Sequence, residues 1–236
     1  MPETNGLQQI MVLDIETVPQ YQSYDEVPEV FKELWEQKTL FQRRDGETAE
    51  EYYPRAGIWA EFGKIVCISV GIFIKTEGHM GLRVKSFAGD DECKILTDFI
   101  NLLDKQPPSL TLCAHNGKEF DIPYICRRTL VNSLCIPSQL NTSGKKPWEV
   151  NHLDTMELWK FGDHKSFTSL NLLAAVFNIP TPKDDIKGSD VHWVYWKERD
   201  IERIKTYCQK DVVTTAQLLL RFKGLPTLAD QHISIV

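Results

Sequence analysis

Apolar residues along this chain follow two rhythms, short continuous or alternating runs that read as strands and runs at three- and four-residue spacing that read as helices. The first is residues 9–14, where Ile10-Met11-Val12-Leu13 is too short for an ordinary helix and reads as a buried strand with acidic residues at its end. Residues 64–75, with Ile65, Val66, Ile68, Val70, Ile72 and Ile74, give the strongest strand signal, and 82–87, beyond Gly78 and Gly81, should return beside it as a hairpin. Residues 90–103 place Ile95, Leu96, Phe99, Ile100 and Leu103 at helical spacing behind acidic residues suited to a helix start. Residues 110–114 form a short strand that breaks at His115-Asn116-Gly117, and 120–130 read as a helix with Pro123 in its first turn, where its missing N–H does no harm. A short strand at 152–154 and helices near 155–159, 169–177 and 198–222 complete the pattern.

Residues 19–59 are charged and aromatic, punctuated by Pro28, Pro54 and Gly57, with one short helix expected over 28–38. They read as an insertion, at about 20–59, in a single domain spanning 1–236. Residues 141–148 are polar and read as a mobile loop, and the cluster from His192 to Trp196 reads as a packed helix start. A hairpin set followed by strand, helix and strand predicts an α/β fold: a mixed sheet with helices on both faces.

Composition narrows the class. At 236 residues and 42% hydrophobic composition the chain can bury one full core. Met1 to Gln9 are polar, and neither a secretory signal nor a membrane span is present, so a soluble intracellular protein, cytoplasmic and without membrane partners, is expected. Six cysteines without a C-x-x-C pair argue against a zinc site and against a disulfide framework. A net charge of −6 is the wrong sign for coating duplex DNA. A site that holds an anionic ligand through bound cations escapes that objection, because the ions reverse the local charge.

Asp14 and Glu16 lie two apart at the end of a strand, so both side chains take one face, where they repel unless a cation lies between them. Asp121 opens a helix after the 115–117 turn, and Tyr207 and Asp211, four apart on the last helix, share a face. Singly, each has an ordinary explanation: a helix cap, a solvated helix residue, a polar strand end, a half-buried aromatic. In chain order they form a set: Val12-Leu13-Asp14-Ile15-Glu16-Thr17, then His115-Asn116-Gly117-Lys118-Glu119-Phe120-Asp121, then Tyr207-Cys208-Gln209-Lys210-Asp211.

That set resembles the three exonuclease motifs of the DEDD superfamily, in the subtype with tyrosine in the third motif; the histidine subtype would need His where Thr206 stands. Glu61-Phe62-Gly63-Lys64-Ile65-Val66-Cys67, Ser169-Leu170-Asn171-Leu172-Leu173 and Lys187-Gly188-Ser189-Asp190 resemble the stand-alone proofreading-exonuclease-like proteins related to family B DNA polymerases. The resemblance implies an RNase H-like mixed five-stranded sheet flanked by helices, with Asp14 and Glu16 on its central strand. It also implies a metal-dependent 3′-to-5′ exonuclease that releases nucleoside 5′-monophosphates from single-stranded DNA or RNA 3′ ends by a two-metal-ion mechanism.

Oxygen ligands alone suit hard cations, so two Mg²⁺ or Mn²⁺ are expected, ~3.5 to 4 Å apart in the general two-metal scheme. By resemblance Asp14 bridges both ions, Glu16 and Asp211 hold the water-side ion, Asp121 completes the other, and Tyr207 positions the attacking water. Thr17, Val18, Asn116 and Phe120 are implied to hold the terminal nucleotide. The alternatives are an exoribonuclease or oligonucleotide-trimming enzyme of the same superfamily, and a non-catalytic protein that binds nucleic-acid ends; neither substrate sugar nor protein partner is legible.

Overall fold

The structure, a computed structural model, describes residues 6–76, 78–163, 165–180 and 186–236, apart from the side chains of Thr76 and Pro147. Residues 1–5 of the polar amino-terminal stretch read above lie outside the described residues. The chain runs β1 (Ile10–Pro19), α1 (Glu29–Thr39), α2 (Ala49–Tyr52), β2 (Gly63–Thr76), β3 (His79–Ala88), α3 (Glu92–Leu103), β4 (Thr111–Ala114) and α4 (Asp121–Val131). It continues through β5 (Leu153–Asp154), α5 (Thr155–Lys160), α6 (Leu170–Val176), α7 (Val191–Trp193), α8 (Ile201–Phe222) and β6 (Ile233–Ile235).

One mixed sheet results, in the order β5-β4-β1-β2-β3-β6. The pairs β1/β2 and β2/β3 are antiparallel, whereas β1/β4, β4/β5 and β3/β6 are parallel. Five of these strands are the expected ones; the sixth, β6, corrects the count. Its three residues, with Ile235 exposed at the sheet edge, form too short an apolar pattern to stand out in a sequence.

Central β1 is buried on both faces, and strand alternation sorts its side chains. Met11, Leu13 and Ile15 join the core under α3 and α4 with Leu96, Phe99, Ile122 and Ile125. Ile10 and Val12 face α8, packing with Val212, Ala216 and Leu219, while Val18 packs with Ile204 and Cys208. Rising numbers on β1 therefore meet falling numbers on α8, so the helix runs antiparallel to the strand. Between these apolar contacts lie Asp14 and Glu16, opposite the turn of α8 that carries Tyr207, Cys208 and Asp211.

The insertion leaves the sheet at Pro19 and re-enters at Gly63, which are paired across β1 and β2. It is thus a long excursion from a hairpin end. It carries a small aromatic core of its own. Trp35 is fully buried, its indole donates to the Ala49 carbonyl at 2.8 Å, and the rings of Tyr52, Tyr53, Trp59 and Phe62 lie 5.1 to 5.9 Å from it. Buried Arg128 pins the excursion to α3 and α4: it donates to both Glu92 oxygens, at 2.9 and 2.6 Å, to the Ala60 carbonyl at 2.9 Å and to Gln20 Oε1 at 3.3 Å.

Candidate active site

Asp14 and Glu16 project from one face of β1 because two residues make one strand period. Directly after Glu16 the pairing with β2 slips: Glu16 opposes Cys67 but Thr17 opposes Ile65, leaving Val66 unmatched. Such a bulge re-aims the strand locally, and it does so where the acidic pair ends.

The second motif is a tight turn held from below. Asn116 takes a left-handed conformation, φ 62°, which suits asparagine better than most residues. A side chain on Gly117 would put its Cβ 2.2 Å from that of Ala114, so only glycine lets the turn close against the end of β4. Asp154, 4% exposed, organises the turn from β5: its carboxylate accepts from the Asn116 and Lys118 amides at 3.0 and 3.1 Å while capping α5 through the Met156 and Glu157 amides. His115 fixes the other side, its Nδ1 2.9 Å from Thr155 Oγ1 and its Nε2 donating to the Thr168 carbonyl at 3.0 Å. Asp121 then starts α4, 4% exposed, with Oδ1 accepting the Ile15 amide of β1 at 3.2 Å.

Helix α8 delivers the third motif. Ile204, Cys208 and Val212 form its buried stripe, and Tyr207 and Asp211 flank that stripe on the side of the acidic pair. Tyr207 and Asp211 share a side-chain hydrogen bond. The Cys208 thiol donates to the Asp14 backbone carbonyl at 3.4 Å, and candidate ligand atoms of Asp14, Glu16 and Cys208 lie within 4.8 Å of one another. Asp121 and Asp211 stand outside that closest group yet near enough to act on it electrically.

Burial first, then Asp121 and Asp211, hold the Asp14 carboxyl well above the usual carboxylate range. Burial first, then Asp14 and Asp211, do the same to Glu16, and burial pushes Asp121 up to about 7. These groups resist sharing their negative charge in one dry place. Asp14 Oδ2 is a buried acceptor without a hydrogen-bond partner. An acceptor without a donor among mutually repelling carboxyls fits a divalent cation, and a set of oxygen donors fits a hard one.

Beside the acidic pair lies a cleft of about 500 Å³, with Ile15, Glu16 and Thr17 on one wall and Phe120 on another. Of the residues implied to hold a nucleotide, Thr17 and Phe120 therefore face open space. Val18 points to the α8 side, fully buried with Ile204 and Cys208, and presents no exposed side chain. Asn116 serves the turn through its backbone and does not line this cleft. Asp154 and Cys208 were not singled out from the sequence. Asp154 had a findable signal, a cap residue ahead of Thr155-Met156-Glu157, and Cys208 lies one helical turn from Asp211.

A core of five strands ordered β5-β4-β1-β2-β3 inside this sheet, flanked by helices and with Asp14 and Glu16 within its central strand β1, defines an RNase H-like fold. The chain belongs to the family described as a predicted 3′-5′ exonuclease related to the exonuclease domain of PolB, whose model matches residues 58–232. Asp121, Tyr207 and Asp211 fall inside the match; Asp14, Glu16 and nearly all of the insertion lie outside it. No curated protein matches the chain. Among the described residues no helix is long and apolar enough to cross a membrane.

Proposed function

We propose that the chain hydrolyses the terminal phosphodiester bond at the 3′ end of single-stranded DNA and releases nucleoside 5′-monophosphates, using two Mg²⁺ or Mn²⁺ ions. The observation that carries this reading is the convergence of Asp14, Glu16, Asp121 and Asp211, each raising the charge cost of another, beside a buried Asp14 oxygen that has no partner. Those four carboxylates would hold the ions. When bound, the ions would polarise the scissile phosphate and make a water more acidic. Cys208 stands apart from this set: burial first, then the neighbouring Cys67, raises its thiol well above the ordinary value.

In the metal-free site burial first, then Asp211, Glu16 and Asp14, raises the Tyr207 phenol above its ordinary value. A phenol with a reference value of ~10 is a poor general base at neutral pH, so Tyr207 orients the attacking water through its hydroxyl. The water oxygen bonds to phosphorus as the bond to the 3′ oxygen of the preceding nucleotide breaks. Thr17 and Phe120 hold the departing nucleotide in the cleft. All six cysteines are free, in keeping with the cytoplasmic setting that belongs to this reading.

The test is mononucleotide release from a single strand labelled at either end, with Mg²⁺, Mn²⁺ or a chelator, on matched DNA and RNA. Labelled mononucleotide should appear at once from the 3′-labelled strand, while the 5′-labelled strand gives a descending ladder, both only with metal. Immediate mononucleotide from the 5′ label, or release in chelator, overturns the proposal; faster cleavage of RNA transfers it to an exoribonuclease.

A further inference from the structure

The insertion forms part of the cleft. Pro54, Arg55, Gly57 and Ile58 line it opposite Glu16 and Thr17, and the turn that bears them is firmly seated. The Tyr124 hydroxyl donates to the Gly57 carbonyl at 2.8 Å, and a Cβ on Gly57 would lie 3.0 Å from the Val18 backbone, so this turn rests directly on the acidic strand. Ile58 is 54% exposed and presents an apolar side chain to the cleft. Arg55 is exposed, its guanidinium held 4.9 Å over the Tyr52 ring, and among the described residues no carboxylate forms a salt bridge with it. Tyr52 is itself buried in the insertion's aromatic core, so the cation stands on a fixed platform.

We infer that the insertion is the substrate-gripping wall of the cleft, with Arg55 binding a backbone phosphate of the single strand and Ile58, together with Phe120, forming the apolar slot for its terminal base. The inference rests on the nuclease reading for the identity of the ligand. Its physical basis is charge: a chain of net charge −6 with a carboxylate-lined site repels a polyanion, and Arg55 puts an unpaired cation beside that site. A guanidinium already fixed in place loses little freedom on meeting a phosphate. The mixture of one cation with apolar walls matches what a phosphate, a sugar and a base require together.

The experiment measures binding of a fluorescently labelled oligothymidylate by anisotropy, with Ca²⁺ as the hard cation, and steady-state cleavage of the same strand with Mn²⁺. Arg55→Ala should weaken binding and raise KM by about tenfold, the loss of one charge-assisted hydrogen bond, with kcat changed much less. Arg55→Lys should recover part of the affinity, and Arg44→Ala, an exposed cation elsewhere on the insertion, should bind as the unaltered protein does. Unchanged affinity in Arg55→Ala, or an equal loss in Arg44→Ala, overturns the inference. Arg55-dependent binding without any mononucleotide release sinks the exonuclease reading and leaves this wall as an end-binding site.

Discussion

A carboxylate oxygen taken out of water without a hydrogen bond costs free energy unless another charge replaces the solvent, and Asp14 Oδ2 is in that position. In the absence of metal the acidic cluster therefore works against folding. The sign follows from linkage: Asp14, Glu16 and Asp121 all have folded-state values raised above the ordinary carboxylate range, so the folded protein holds their protons more tightly than the unfolded chain. Their contribution is fully favourable below the unfolded values, 3.8 for the two aspartates and 4.5 for Glu16, and is lost as pH rises, for Asp121 through about 7. Metal-free protein should lose thermal stability across that window and regain it on adding Mn²⁺. Asp14→Asn should raise the metal-free Tm at neutral pH while cutting turnover by about three orders of magnitude, the scale of several kcal/mol of lost metal-based stabilisation. A metal-free Asp14→Asn protein less stable than the unaltered one would contradict this balance.

At the scale of elements, what matters is how strand ends and helix starts are locked in register. Asp154 is the main tie, accepting four backbone amides that join β5, the second-motif turn and the first turn of α5. Asp154→Ala leaves several of those amides without partners in a buried region. A loss of ~1–3 kcal/mol per stranded group sets the scale, reduced wherever water enters. The expected outcome is a lower urea midpoint together with a fall in turnover, since the turn that presents Asp121 loosens. Lower stability with unimpaired turnover would show that the turn keeps its shape without β5. The α8 stripe acts similarly: Gly71 leaves room for Val212, whose side chain would lie 2.9 Å from a Cβ there, so helix and sheet approach closely along the acidic face.

Across the whole molecule, one sheet carries the acidic cluster while the insertion has its own aromatic core, joined through Arg128 and the Tyr124–Gly57 hydrogen bond. We read the chain as a single domain in which this excursion is a semi-independent unit. Trp35→Ala removes the centre of the smaller core at a cost of ~3–5 kcal/mol, more than such a unit should withstand. Hydrogen exchange should then show residues 24–58 losing protection while β2, β3 and α8 keep theirs, with weaker strand binding because Arg55 has lost its platform. Loss of protection throughout the sheet would mean that the two cores fold as one.

Local pattern alone determined the strands and helices with long periodic signals and, by period-2 and period-3.6 alternation, put Asp14 with Glu16 and Tyr207 with Asp211 on common faces, while their grouping with Asp121 came from the resemblance of three motifs in chain order. The edge strand β6, the burial of Val18, the four-amide role of Asp154 and the entry of Arg55 and Ile58 into the cleft were decided by tertiary structure. Each depends on contacts between segments distant along the chain, about which the alternation within one segment carries no information.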